Sequence, residues 1–274
     1  MNSSPAVSVA PIRVALLGVG GRMGRALLVG VDEAPDLTLS GALVSPSSRW
    51  LNQDTQLFGG ATGVIATAHP TTALQNAQVA IDFTLPSVTA SIVAAAIATH
   101  CPLVIGTTGH SAEQHATIEN AARHIPIVMA ANMSLGVNLM LKLAELAAKA
   151  LDDEYDIEIF EAHHRNKKDA PSGTALAIGE VVAKARGVSL KTDGDFVRHG
   201  ETGARRRGAI GFSVLRGGDI IGEHTLTFAG PGERIELTHR AHDRAGFARG
   251  ALLAARWLVH RKPGLYSMQD VIFP

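Results

Sequence analysis

Short apolar runs alternate with longer alanine-rich stretches through the first half of the chain. Residues 12–17 form an apolar run broken only by Arg13, and it ends in a glycine cluster. Runs at 79–83, 103–105 and 125–129 are similar, each closed by a turn or small residue: Pro86, Gly106 and Asn132. Between them lie Ala-rich stretches such as 87–99 and 111–123. Short buried strands separated by helices predict βαβ units and a parallel sheet. After Asn132 the pattern changes. A helix is predicted over 135–151, with Leu139, Leu143, Leu146 and Ala150 on one stripe. Residues 155–162 alternate, Ile157 and Ile159 against Glu158, Phe160 and Glu161, and read as a strand. From Ala209 the chain carries hairpin chemistry: 210–215 leads through Gly217-Gly218 into 220–228, and Pro231-Gly232 leads into 234–238. Antiparallel strands are expected there. A last helix over 243–258 turns Phe247, Ala251, Leu252 and Ala255 inward. The boundary near residue 133 therefore separates a parallel α/β domain from an antiparallel α+β domain.

Composition narrows the class. With 46% hydrophobic and 18% charged residues, the 274-residue chain has enough apolar material for a sizeable core, which excludes intrinsic disorder. The 25 Lys+Arg balance 25 Asp+Glu, so bulk charge does not hold this chain on nucleic acid or an anionic membrane. Cys101 is the only cysteine, which rules out an intrachain disulfide or a cysteine-cluster metal site and fits a reducing cytosol. The first ten residues do not read as a signal peptide, and Ser3, Ser4 and Pro5 read as a frayed tail. No apolar run approaches the roughly 18–20 residues needed to span a bilayer. A soluble cytoplasmic protein, with no nucleic-acid or membrane partner, is expected.

Candidate chemistry clusters at strand ends. Gly18-Val19-Gly20-Gly21-Arg22-Met23-Gly24 follows the first strand and opens a helix running to about Val31. Small residues there let a backbone approach a pyrophosphate, and the helix N-terminus offers free N–H groups. A strict G-x-G-x-x-G would need glycine where Met23 stands, so a tight turn without ligand is the alternative. Gly106-Thr107-Thr108-Gly109 and Ala130-Ala131-Asn132-Met133 also fall at strand ends, where Thr107, Thr108 and Asn132 could bond a ribose or carboxamide, or simply cap the next helix.

The richest segment is 158–175. His163 and His164 can exchange protons near neutral pH, and Lys167 can donate a proton or hold an anion. Pro171-Ser172-Gly173-Thr174 reads as a helix start with Ser172 as N-cap, leaving the N–H groups of Gly173 and Thr174 for an anionic ligand. A small carboxylate or phosphate substrate follows. A metal site is disfavoured, because adjacent strand histidines point to opposite faces and no third ligand stands nearby. Arg205-Arg206-Arg207, in the polar stretch 191–208, reads as a mobile solvated loop, and His199, His224, His239 and His242 as ordinary surface or strand histidines.

This segment resembles the 4-hydroxy-tetrahydrodipicolinate reductase (dihydrodipicolinate reductase) family. The pattern E-[IV]-x-E-x-H-x-x-x-K-x-D-x-P-S-G-T-A is met by Glu158, Ile159, Glu161, His163, Lys167, Asp169, Pro171, Ser172, Gly173, Thr174 and Ala175. Also similar are the opening loop from Gly18 to Arg25, Ile81-Asp82-Phe83-Thr84, the stretches 104–109 and 130–132, and Gly222-Glu223-His224-Thr225. The resemblance extends over residues 12–273. It implies an NAD(P)H-dependent reduction ending in tetrahydrodipicolinate, with loss of the 4-hydroxyl as water. It implies a Rossmann-like parallel-sheet domain, 1–133 completed by 243–274, and an α+β substrate and oligomerisation domain with a mixed sheet, 134–242, in a homotetramer. By resemblance, Gly18, Val19, Gly20, Gly21, Arg22 and Met23 form the pyrophosphate loop. Gly106, Thr107, Thr108, Ala130, Ala131, Asn132 and Met133 contact nicotinamide and ribose. His163 is the proton donor/acceptor and Lys167 a proton donor, while His164, Ser172, Gly173 and Thr174 form the dicarboxylate site. Many relatives carry an aromatic residue at Met133, so that contact differs in kind. No metal is implied.

Competing readings are another Rossmann oxidoreductase on a small carboxylic acid, or a non-catalytic NAD(P)-sensing module. For the cofactor, the end of the predicted second strand (37–43) is informative. Many relatives carry an acidic residue at Val44, often with Arg next to it, where Ser45 stands here. Nothing at Val44-Ser45-Pro46-Ser47-Ser48-Arg49 repels a 2′-phosphate, and Arg49 could reach it or remain solvated. NADPH is therefore expected to serve at least as well as NADH.

Overall fold

The computed structural model describes residues 10–61 and 63–274, so the tail expected at Ser3, Ser4 and Pro5 lies outside the described residues. In chain order the elements are β1 (Ile12–Leu17), α1 (Arg22–Asp32), β2 (Leu37–Leu43), α2 (Pro70–Leu74), β3 (Val79–Asp82), α3 (Thr89–Ala98), β4 (Leu103–Ile105), α4 (Ala112–Ala121) and β5 (Pro126–Met129). There follow α5 (Leu135–Ala150), β6 (Asp156–His163), α6 (Gly173–Arg186), α7 (Leu190–Asp193), β7 (Gly194–Asp195), β8 (Ile210–Arg216), β9 (Gly222–Gly230) and β10 (Glu233–Ala241). The chain closes with α8 (Ala245–Leu258), β11 (Gly264–Tyr266) and α9 (Met268–Ile272). Two compact units result, one holding the chain up to Met133 together with Ala245–Pro274, the other Ser134–Arg244. Among the described residues no helix is long and apolar enough to cross a membrane.

The first unit is a six-stranded parallel sheet in the order β11-β5-β4-β3-β1-β2. Its strands are short, apolar and buried, as the runs in the sequence require: Val14, Ile81, Leu103, Val104 and Ile127 are fully inaccessible. Leu74, Ile92, Ile118 and Ile125 pack with strand residues such as Ala80 and Ile105 in one core. Helix α8 packs against α1, β3, β4 and β5, and a Cβ at Gly30 would stand 2.8 Å from Leu252, which lets α1 and α8 approach closely. All five strand ends from β1 to β5 therefore open on one edge, where the loops carrying the candidate cofactor residues begin.

The second unit is a mixed five-stranded sheet in the order β10-β9-β6-β8-β7. Here the structure corrects the hairpin expected through Gly217-Gly218. Strands β8 and β9 do not pair with each other, because β6 lies between them, parallel to β8 and antiparallel to β9. Only β9–β10 is an antiparallel hairpin. Ile157, Ile159, Phe212, Leu226 and Phe228 form the core with Met140 and Ala144 of α5 and Ile178 and Val182 of α6. Helix α5 turns its leucine stripe outward. Val137, Met140, Ala144 and Ala148 are buried, whereas Leu139, Leu143 and Leu146 are exposed. Arg205 is not part of a solvated loop. Its guanidinium bonds Glu158 (3.0 Å), Asp156 (2.8 Å) and the carbonyls of Ile157 (2.8 Å) and Ala209 (2.7 Å). Arg207 does remain largely exposed.

Candidate active site

In the first unit the glycine loop is shaped by close backbone packing. Gly18 has φ +84°, and a Cβ there would lie 2.6 Å from the Phe83 carbonyl oxygen. A Cβ on Gly24 would meet the Gly18 oxygen at 2.4 Å, and one on Gly21 would meet it at 3.2 Å. The packed glycines are thus 18, 21 and 24, three residues apart, which explains why Met23 is tolerated where G-x-G-x-x-G requires glycine. Gly21 is the N-cap of α1 and supplies no side-chain cap, so the helix opens with bare N–H groups suited to a phosphate. Arg22 is the first helical residue and is exposed, while Val19 is buried in the core.

A pocket of about 790 Å³ lies over this loop, lined among others by Gly18, Gly20, Gly21, Ser45, Ser48 and Thr84. The glycine lining and the bare helix start of this pocket suit a dinucleotide. The buried Asp82 holds the β3 end of the pocket by accepting from the Thr84 N–H (2.8 Å) and hydroxyl (2.6 Å). Burial pushes its pKa up, against those hydrogen bonds. Gly106 begins the loop after β4 and lies under the Phe83 ring, only 2.3 Å from where its Cβ would stand. Thr107 is buried and Thr108 exposed, while Ala130, Ala131, Asn132 and the buried Met133 follow β5. These two loops do not line the pocket over the glycine loop. Arg49 places its guanidinium 4.5 Å from the Trp50 ring centroid.

In the second unit strand register assembles the charged cluster. Ile157, Ile159, Glu161 and His163 share the buried face of β6, so Glu161 lies with the isoleucines and not against them. Register pairs Glu161 with His224 on β9 and His163 with Arg216 on β8. The His163 Nδ1 lies 2.6 Å from Glu161 Oε2. Arg216 grips the same carboxylate with both terminal nitrogens, each at 2.7 Å, and the Ser172 N–H donates to Oε1 at 2.9 Å. Burial raises the Glu161 pKa, but the Arg216, His163 and Ser172 hydrogen bonds outweigh it and hold the carboxyl below its ordinary value. Burial depresses the His163 pKa, opposed by Glu161 and reinforced by Lys167 and Arg216.

Ser172 caps α6 by accepting from the Ala175 N–H (3.2 Å), and its hydroxyl lies 3.0 Å from His224 Nε2. His224 is therefore a buried member of the site and not an ordinary strand histidine, its ring 5.2 Å from that of His163. Glu161, Arg216 and His224 went unassigned in the sequence. Continuing the two-residue alternation from Ile157 and Ile159, and back from Phe228 and Leu226, points to Glu161 and His224; nothing local marks Arg216. Gly173 is exposed with open space where a Cβ would stand, and Thr174 is half-buried beside it. Lys167 pairs with Asp169 at 2.9 Å, one of the three donors an ammonium carries. His164 stands past the strand end, its N–H bonded to the Ile220 carbonyl at 2.7 Å.

Comparison with known proteins identifies the family and the fold. The family model "Dihydrodipicolinate reductase, N-terminus" matches residues 12–133, and "Dihydrodipicolinate reductase, C-terminus" matches residues 136–272. A protein of Thiobacillus denitrificans named 4-hydroxy-tetrahydrodipicolinate reductase is 52% identical over 262 residues, 95% of this chain and 98% of the relative. One of the same name from Nitrosomonas europaea is 51% identical over 96% of this chain and 98% of its own. The dipicolinate-bound dihydrodipicolinate reductase structure from Paenisporosarcina sp. TG-14 shares the fold, with a TM-score of 0.72 at 23% identity over 96% of this chain and 100% of that one. This chain belongs to the dihydrodipicolinate reductase family.

Proposed function

We propose that the chain is an NAD(P)H-dependent oxidoreductase that reduces 4-hydroxy-tetrahydrodipicolinate to tetrahydrodipicolinate in diaminopimelate and lysine biosynthesis. The observation that carries the reading is that His163 and the start of α6 are joined on one buried carboxylate, Glu161, with Lys167 near enough to act on the His163 charge. Each turnover consumes one NAD(P)H and one proton, expels the 4-hydroxyl as water and releases NAD(P)+. The bound nicotinamide supplies the hydride. The bare start of α1 and the glycine loop hold the pyrophosphate, with the loops at 106–108 and 130–133 against the nicotinamide and its ribose. In the second unit the Gly173 and Thr174 N–H groups, with His164, Ser172 and Lys167, hold a dicarboxylate. His163 and Lys167 manage the proton.

Self-association into a homotetramer is supported by exposed apolar side chains in the second unit, including Leu139, Leu143 and Leu146 on α5 and Phe160, Val214 and Ile235 on the sheet. A single buried, free cysteine suits the cytoplasm as the place of work.

The test is loss of NADPH absorbance with and without freshly generated pathway substrate. Wild type should oxidise NADPH only when substrate is present. His163→Gln should lower kcat by about 10²–10⁴-fold with little change in KM, and Lys167→Ala should impair both. Absence of substrate-dependent oxidation would favour an NAD(P)-sensing module, and full activity in either variant would overturn the assignment of these residues.

A further inference from the structure

Glu161 is the most completely buried charged side chain of the second unit and touches both halves of the site. Its four acceptor positions are all taken. Oε2 faces His163 Nδ1 and Arg216 Nη1, while Oε1 faces Arg216 Nη2 and the Ser172 N–H. An ionised carboxylate only accepts hydrogen bonds, so at 2.6 Å the His163 Nδ1 has to be the donor. In neutral His163 the free lone pair then belongs to Nε2. That atom faces the backbone of Gly222, where a Cβ would stand only 3.0 Å away and crowd the ring.

We infer that Glu161 is a positioning residue that fixes His163 as the Nδ1–H tautomer, so that Nε2 is the atom through which this imidazole exchanges its proton, and that the same carboxylate ties the ring to the anion-binding turn at Ser172. The inference rests on the reading that His163 exchanges a proton with substrate. Arg216 is part of the device: its two-pronged grip keeps Glu161 ionised and orients the carboxylate plane toward Nδ1. Arg216 also donates to the Asp169 carbonyl at 2.6 Å, which anchors the loop carrying Lys167. The Ser172 N–H bond means that the proton-handling ring and the substrate-holding turn share one anchor.

The groups facing His163 are few. Glu161 lies on its own strand, Arg216 on β8, and Gly222 and His224 on β9; Lys167, paired with Asp169, stands on the following loop. His224 already directs Nε2 at Ser172. Of these, Glu161 alone presents an anion to the His163 ring. Removing its charge therefore makes the imidazolium harder to form, and the limb of the pH–rate profile that belongs to His163 must move to lower pH.

Two measurements test this. NMR of the whole protein carrying histidine labelled with a nitrogen isotope, with the His163 signal identified by its loss in His163→Gln, reports the tautomer without any turnover. The expected result is a proton on Nδ1 and none on Nε2 at a pH where His163 is neutral. In Glu161→Gln the amide can face Nδ1 as either donor or acceptor, so a mixture of tautomers should replace the single one. Kinetically, kcat in Glu161→Gln should fall about 10²-fold or more with a small change in KM, and the His163 limb should shift acidward. A wild-type His163 protonated on Nε2 overturns the inference whatever the enzyme's activity. So does a Glu161→Gln variant whose His163 limb stays in place. Full activity in His163→Gln, by contrast, would remove the proton-exchange reading itself even with the tautomer as expected.

Discussion

His224 should make the protein lose stability in mild acid. The residue is buried, its Nε2 is committed to Ser172, and its Nδ1 has no partner among the described residues. Burial, with His163 adding to it and Glu161 opposing, lowers its pKa from 6.5 to about 4. The unfolded chain binds this proton near pH 6.5 and the folded chain only near 4, so the unfolded state holds more protons throughout that window. Stability is unaffected above 6.5, falls as the pH drops towards 4, and changes no further through this group below that. A gap of that size corresponds to about 3 kcal/mol at about 1.4 kcal/mol per unit, which is a large part of a typical domain's stability. The assay is urea unfolding of wild type and His224→Gln at fixed protein concentration from pH 7.5 to 4.5. Glutamine keeps an amide for Ser172 and has no proton to take up. Whatever the offset at pH 7.5, wild type should lose about 2–3 kcal/mol more than the variant over the series. Curves that stay parallel within about 0.5 kcal/mol would refute the reasoning.

Two further predictions concern residues whose sequence reading changed or gained detail. Arg205→Lys should lower the unfolding free energy by about 2 kcal/mol or more, since an ammonium cannot reproduce four bonds to two carboxylates and two carbonyls. Arg207→Lys, at an exposed pair with Glu154, should stay within about 0.5 kcal/mol in the same urea titration, and equal losses would refute the distinction. NADPH should serve at least as well as NADH in paired kcat/KM measurements, because the strand end after β2 offers Ser45 and Ser48 to the pocket and no acid. If Arg49 leaves its Trp50 contact for a 2′-phosphate, Arg49→Ala should reduce the NADPH:NADH ratio about tenfold; an unchanged ratio removes Arg49 from selectivity.

The parallel unit was legible because its strands are short unbroken apolar runs and its glycines sit at a strand end, signals carried by neighbouring residues. The mixed sheet was less so. Gly217-Gly218 is sound turn chemistry, but local sequence does not reveal that β6 inserts between β8 and β9. That insertion is a long-range pairing, fixed by the fit of Ile157 and Ile159 against Leu226, Phe228, Ile210 and Phe212. On α5 the leucine stripe was legible, but local sequence does not say that it faces outward; the buried face uses Ala144 and Ala148, where α5 packs against α6. His163 and Lys167 stood out as a cluster in sequence. Arg216 did not, because 53 residues separate it from His163 and only the β6–β8 register unites them.

The most direct test is a crystal structure of the chain with an NADPH analogue and pyridine-2,6-dicarboxylate, a planar stand-in for the substrate. A carboxylate within hydrogen-bond distance of the Gly173 and Thr174 N–H groups, with Lys167 and His163 Nε2 turned to the ring, is the predicted result. Dicarboxylate bound elsewhere, with the start of α6 and the His163 ring left without contact, would contradict the account.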